Sequence, residues 1–155
     1  MSDVGGDVVR ALNVLVVEDN AADAYIIEDT LKSSPRPIHT TVVVDGAQAL
    51  AFLSQEPPFQ SRDEPQLILL DLNLPKLDGS QVLAAIRSDD SLKHIPVIIL
   101  TSSEDETDIS RSYRLGANCY VTKPLRLAAY RDILHAVESF WGDVVHLPRA
   151  GPWTS

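Results

Sequence analysis

Five short apolar runs alternate with five helical patterns along the 155 residues. This alternation predicts an α/β protein, a doubly wound parallel sheet with helices on both faces. Three observations carry the prediction. The runs are of strand length and too short for helices. They are near-continuously apolar or β-branched, as strands are when both faces of a sheet are covered. The segments between them repeat apolar side chains at helical spacing and begin or end on capping residues.

The first strand is read at Asn13 to Val17 (NVLVV). Asn20 then caps a helix that runs to about Lys32, with Asp23 in the capping-box position and Ile26, Ile27 and Leu31 inward. SSPRP ends it. Ile38 to Val44 is the second strand, and Gly46 to about Ser54 the second helix, carrying Ala47, Leu50, Ala51 and Leu53. A Pro-rich loop from Glu56 to Pro65 leads into the third strand, Leu67 to Leu70. The third helix spans Gly79 to Arg87, with Val82, Leu83 and Ile86, and the fourth strand spans Val97 to Leu100. Ser103 and Glu106 read as a capping box opening a fourth helix to about Leu115, which Gly116 stops. Cys119 to Val121 is the fifth strand. Leu125 to about Trp141 is the fifth helix, with Tyr130, Ile133, Leu134, Val137 and Trp141 on one face. The domain is expected over residues 12–141, preceded by a flexible segment (1–11) and followed by a tail (142–155) too short to fold as an output domain.

Composition excludes several functions. With 22 acidic and 13 basic residues the formal net charge is -9, which disfavours a nucleic-acid backbone or an anionic membrane as partner. No apolar run approaches the ~20 residues of a membrane helix, and the N-terminus lacks the pattern of a signal peptide. The single cysteine, Cys119, fits a reducing cytoplasm and reads as inert core. The four histidines lack metal-ligand spacing, and no nucleotide phosphate loop occurs.

In a doubly wound sheet the site lies at the carboxyl ends of the strands. Glu18 and Asp19 follow the first strand there, and Asp71 ends the third. Thr101 and Ser102 follow the fourth strand, and Lys123 and Pro124 the fifth. Taken singly, each has an ordinary occupation: a carboxylate after a strand is usually a cap, an acidic pair complements a helix dipole, and a loop lysine is solvated. Their coincidence on one rim is what points to chemistry. Three close carboxylates repel one another, and a hard dication relieves this. Mg²⁺ suits the set, with one oxygen each from Asp19 and Asp71, the Asn73 carbonyl as a third, and Glu18 holding a coordinated water. A carboxylate is also a competent nucleophile toward a phosphoryl group, which makes Asp71 the candidate acceptor. Lys123 would balance the transferred charge, Thr101 would donate a hydroxyl bond, and the small Ser102 would leave room and add an N–H contact.

VVEDN (16–20), LLDLNLPKLDG (69–79), PVIILTSS (96–103) and YVTKP (120–124) together resemble the receiver domain of two-component response regulators. The resemblance implies a flavodoxin-like fold with strand order 2-1-3-4-5. It implies Asp71 as phosphoacceptor, Glu18 and Asp19 as the acidic Mg²⁺ pair, Thr101 and Lys123 as switch residues, and Tyr120 as the aromatic switch. It also implies a cis Lys123–Pro124 peptide. SLKHIPVIILTSS, LGANCYVTKP and FWGDVVHLP further resemble the small single-domain regulators paired with bacterial phytochrome histidine kinases, so the implied partner is such a kinase. Phe140, Trp141, Val144, Val145 and Leu147 form an apolar cluster that either folds back on the domain or serves a homodimer, through the fourth helix, fifth strand and fifth helix or through a crossed C-terminal segment. Two rival functions are weighed. A phosphohydrolase with an aspartyl-phosphate nucleophile typically carries an aspartate two residues after the nucleophile, where this chain has Asn73. A phosphate-independent interaction module tends to lose pocket residues that are all present here.

Overall fold

The computed structural model describes residues 11–148. Its strands are β1 (Leu12–Val17), β2 (Ile38–Val43), β3 (Leu67–Leu70), β4 (Val97–Thr101) and β5 (Cys119–Thr122). The helices between and after them are α1 (Ala21–Lys32), α2 (Gly46–Leu53), α3 (Gly79–Ser88), α4 (Glu106–Arg114) and α5 (Leu127–Ser139), and a π-helical turn, Phe140–Val144, continues α5. All pairings are parallel, and the sheet order is β2-β1-β3-β4-β5, the expected doubly wound, flavodoxin-like arrangement. The direction of winding reverses at β1, so β1 and β3 part their connections at the point where such sheets place their sites.

Central strands β3 and β4 are buried along their whole length, which is why LILL and VIILT show no polar alternation. One face packs Leu15, Ile68, Leu70 and Ile99 against Phe52 of α2 and Val82, Leu83 and Ile86 of α3. The other packs Val14, Val16, Leu69 and Ile98 against Ile27 and Leu31 of α1 and Tyr130 and Leu134 of α5. Alternate residues of one strand thus feed two separate cores, as a period of two requires. Helix α4 is the exception, since Ser112 is its sole fully buried residue.

Glycine is required at two places that position the rim. Gly116 ends α4 at φ +105°, a conformation open to glycine. Gly79 starts α3 so close to the phosphoacceptor candidate that a Cβ there would lie 2.2 Å from the Asp71 carbonyl oxygen.

Several boundaries differ from the sequence reading, each for a local reason. α4 is capped by Asp105, not Ser103: the Asp105 carboxylate accepts the Thr107 N–H at 2.8 Å, while the Ser103 hydroxyl is taken by Asp108 at 2.7 Å. The full capping box belongs to α3, between Asp78 and Gln81. α5 begins two residues later than expected: the Lys123 N–H is still bonded to the Thr101 carbonyl at 2.7 Å, and Pro124–Arg126 connect it to the helix. The Lys123–Pro124 peptide is not cis. The cis bond among the described residues is Pro57–Pro58, and Lys123–Pro124 keeps the trans form favoured by ~0.5–1 kcal/mol. Cys119 is half-buried against the α1/α5 core.

The apolar tail cluster divides. Trp141 and Leu147 pack on the α1/α5 core, whereas Phe140 and Val144 stand exposed. The π-helical turn is pinned from the α1–β2 connection. The Arg36 guanidinium reaches the Glu138 carboxylate at 2.9 Å and also pairs with Asp143, and the Ser34 hydroxyl donates to Glu138 at 2.7 Å. Beyond it, the Gln66 amide donates to the Pro148 carbonyl at 2.8 Å. The rest of the tail, from Arg149, and the expected flexible segment up to Arg10 lie outside the described residues.

Candidate functional site

The carboxyl rim of the sheet is assembled by backbone bonds that run one residue past the strands. Glu18 N–H donates to the Val43 carbonyl at 3.0 Å, Asp71 N–H to Val17 at 3.1 Å, and Lys123 N–H to Thr101 at 2.7 Å. Each side chain at the rim therefore stands on a backbone already tied to its neighbouring strand. This is the local reason that three distant stretches of chain deliver their charges with fixed geometry.

At the centre is Lys123. Its ammonium donates to Glu18 Oε1 at 2.5 Å, Asp23 Oδ2 at 3.0 Å and Asp71 Oδ2 at 3.1 Å. Glu18, Asp71 and Lys123 are all buried, and Asp19 is exposed beside them. Carboxylate oxygens of Glu18, Asp19 and Asp71 come within 4.8 Å of one another. Asn73 N–H donates to Asp71 Oδ1 at 3.1 Å, and Asn20 N–H to Glu18 Oε2 at 3.1 Å, so backbone amides orient both acids.

One ammonium cannot neutralise this set. The Lys123 pKa is raised because its hydrogen bonds to Glu18 and Asp23 and the nearby charge of Asp71 outweigh the cost of burial. Yet the Glu18 carboxyl is pushed up to about 7, since burial and the neighbouring Asp71 charge outweigh what Lys123 offers it. The same ion pair helps the lysine without bringing Glu18 back to its ordinary range, and surplus negative charge remains. An all-oxygen, carboxylate-rich donor set of this kind fits a hard dication such as Mg²⁺ and offers no soft ligand for Zn²⁺ or Cu⁺.

Thr101 supplies the second unusual feature. Its residue is fully buried at the end of β4, and its hydroxyl has no hydrogen-bond partner. A buried polar group without a partner is rare and calls for a reason. Ser102 next to it is exposed. Tyr120 is half-buried on β5, its ring against the α2/α3 core, and its hydroxyl donates to the Ser103 carbonyl at 2.9 Å. It therefore ties β5 to the loop that carries Thr101 and Ser102.

The rim thus unites Glu18, Asp19, Asp71, Thr101 and Lys123, with Asn73, Ser102, Tyr120 and Pro124 on the segments around them. Sequence reasoning missed Asp23. Its helix position suggested only a cap, and the Asn20 side chain does accept the Asp23 N–H at 2.9 Å. The carboxylate itself is on Lys123, 100 residues away in sequence. Tyr130 was placed correctly in the core, but its hydroxyl is also buried without a partner, and burial raises its pKa well above the usual range. A cavity of about 350 Å³, bordered by Asn13, His39 and Arg62, lies at the opposite end of the sheet and has no part in this rim.

Comparison with known proteins agrees with this geometry. Residues 14–136 match the response regulator receiver domain. The chain is 44% identical over 137 residues to response regulator Rcp1 of Synechocystis sp., covering 88% of this chain and 93% of the relative. The crystal structure of the phosphorylated cyanobacterial phytochrome response regulator RcpA superposes with a TM-score of 0.88 at 44% identity, over 90% of this chain and 100% of that one. The Mn²⁺-bound form of Rcp1 matches with a TM-score of 0.85 at 43% identity, over 88% and 99% of the two chains. By motif, fold and rim together, the chain belongs to the response regulator receiver domain family.

Proposed function

We propose that this protein is a phosphoryl-accepting signalling switch of the cytoplasm, acting as a single receiver domain over residues 12–141. Asp71 takes the group from a phosphohistidine of a sensor kinase. One Asp71 carboxylate oxygen bonds to phosphorus while the phosphorus–nitrogen bond of the donor breaks, its electron pair staying on the imidazole. Lys123, already on Asp71, is placed to meet the charge of the incoming group. The orphaned Thr101 hydroxyl would donate to a phosphoryl oxygen, with the Ser102 N–H adding a contact, and the lack of a resting partner for the hydroxyl supports this role. Mg²⁺, held by Glu18, Asp19, Asp71 and the Asn73 carbonyl, would supply charge neutralisation at the acceptor. The observation that carries this reading is a buried strand-end aspartate held by Lys123, with a partnerless buried hydroxyl at the end of the neighbouring strand β4.

Engagement of Thr101 would pull on the loop that Tyr120 clasps through Ser103, and so bias α4, which has little buried surface to hold it. A phytochrome histidine kinase is the proposed donor, supported by the similarity to RcpA. Exposed Leu127, Phe140 and Val144, on α5 and its extension, support a homodimer through the α4–β5–α5 face. Light scattering at tens of micromolar tests that part, and a monomer under these conditions removes it.

Acetyl phosphate with Mg²⁺ and intact mass measurement tests the acceptor. The native protein gains one phosphoryl group, Asp71→Asn gains none, and prior chelation of the metal abolishes the gain. Transfer to Asp71→Asn at the native rate would refute the assignment.

A further inference from the structure

An ammonium has three N–H donors, and Lys123 spends all three, on Glu18, Asp23 and Asp71. To bond a phosphoryl oxygen it must give one up. Two of these partners are deeply held, with side chains 2% and 7% exposed, and both belong to the oxygen cluster suited to the cation. Asp23 differs on both counts: its side chain is 26% exposed and it lies outside that cluster. Nor is its carboxylate needed for the start of α1, because the cap uses the Asp23 backbone N–H.

We propose that Asp23 is the resting partner of Lys123, a positioning residue that holds the ammonium over the acceptor and is exchanged for the phosphoryl oxygen when the group arrives. The inference rests on the phosphoacceptor reading above and adds to it which contact is broken. Asp23 then opposes the phosphoryl state twice. It competes for the lysine, and it sets a negative charge beside an incoming dianion. Its removal favours the loaded state, which is unusual for an acid contacting the central lysine of a site.

The test is the affinity of the intact protein for beryllium fluoride in saturating Mg²⁺, measured by calorimetry alongside Mg²⁺ affinity in its absence. Asp23→Asn is expected to bind beryllium fluoride about threefold to tenfold more tightly, a range set by a partly exposed ion pair. Asp23→Glu, which keeps a carboxylate within reach, should return toward native affinity. In a Lys123→Gln background the Asp23→Asn gain should shrink to the small residual effect of charge alone, because the competition acts through the lysine. Mg²⁺ affinity should change by less than about threefold, since Asp23 is not a ligand. Unchanged or weaker beryllium fluoride binding by Asp23→Asn would overturn the inference. So would a full gain in the Lys123→Gln background, or a loss of Mg²⁺ affinity beyond tenfold. Failure of the native protein to bind beryllium fluoride would instead overturn the phosphoacceptor reading itself.

Discussion

The two ends of this sheet each bury a glutamate and treat it in opposite ways. At the amino-terminal end Glu138 meets Arg36 and Ser34, and the guanidinium also pairs with Asp143. Two carboxylates there share one arginine and one hydroxyl, and the more buried of the two takes both. At the carboxyl rim Glu18 shares a single ammonium with Asp23 and Asp71, while Asp19 stands beside them. The first arrangement approaches balance and fastens α5 and its π-helical extension to the α1–β2 connection. The second is left with surplus negative charge and an unused hydroxyl. Structural ion pairs tend toward completion, because an unpaired buried charge is costly. The proposed role, which needs the rim to admit a cation and an anionic group, gains from a site that stays incomplete until they arrive.

The sharpest break of this comparison is at the balanced end. Arg36→Ala leaves Glu138 buried with Ser34 alone. Removal of one partner of a buried pair costs about 3 kcal/mol, the low end of the usual range because Arg36 is partly exposed. For a chain of this length that lowers Tm by roughly 6–12 °C. Adding Glu138→Gln should recover most of the loss by removing the stranded charge. Thermal unfolding of the single and double variants checks this, and a double variant no more stable than Arg36→Ala would mean that Arg36 acts by packing over Gly142.

At the incomplete end the expected effect is a pH dependence of smaller size. Burial pushes the Glu18 carboxyl up to about 7 in the folded protein, against an ordinary 4.5 when the chain is unfolded. Between these values the folded state binds more protons, so stability falls as pH rises through the window and levels off above it. Lys123 is raised above its ordinary range, so its contribution is intact throughout the window and is lost only in strong alkali. Asp45 and Asp89, held low by hydrogen bonds, lose theirs only below the window. The metal-free protein is therefore expected to be more stable at pH 5 than at pH 7.5, by on the order of 2 kcal/mol. Mg²⁺ should remove the difference. Urea melts at both values, with and without the ion, check this, and a metal-free profile that rises with pH would contradict the surplus of charge.

The contrast between the two ends also marks what could be read from the chain alone. The five strands were legible because LILL and VIIL have no polar alternation, and Asp71, Thr101 and Lys123 because each lies at the end of such a run. Strand ends are local features, and the fold gathers them by rule. Asp23 was legible only as a helix-start residue, because nothing near it announces a lysine 100 positions later. Ser34, Arg36 and Glu138 were invisible for the same reason, their contacts spanning 102 to 104 positions. The α4 cap failed differently. Ser103 and Asp105 are both good caps, and the choice was made by Asp108 engaging the serine.

Thr101 gives the smallest effect and the most direct test of incompleteness as design. A hydroxyl buried without a partner carries a desolvation cost of about 1–3 kcal/mol that an apolar group of similar shape does not. Thr101→Val is therefore expected to leave the resting protein unchanged or more stable by about 1 kcal/mol, while weakening its affinity for beryllium fluoride. Ser34→Ala, which removes a hydroxyl that does have a partner, should destabilise by a similar amount. Opposite signs from a buried hydroxyl without a partner and a half-buried one with a partner would tie the difference between the ends to how their polar groups are partnered. If Thr101→Val instead destabilised the resting protein as much as Ser34→Ala does, its hydroxyl would already be satisfied before any phosphoryl group arrived. The threonine could then respond to phosphorylation only by breaking a contact it holds, and the rim would be a closed structure like the opposite end.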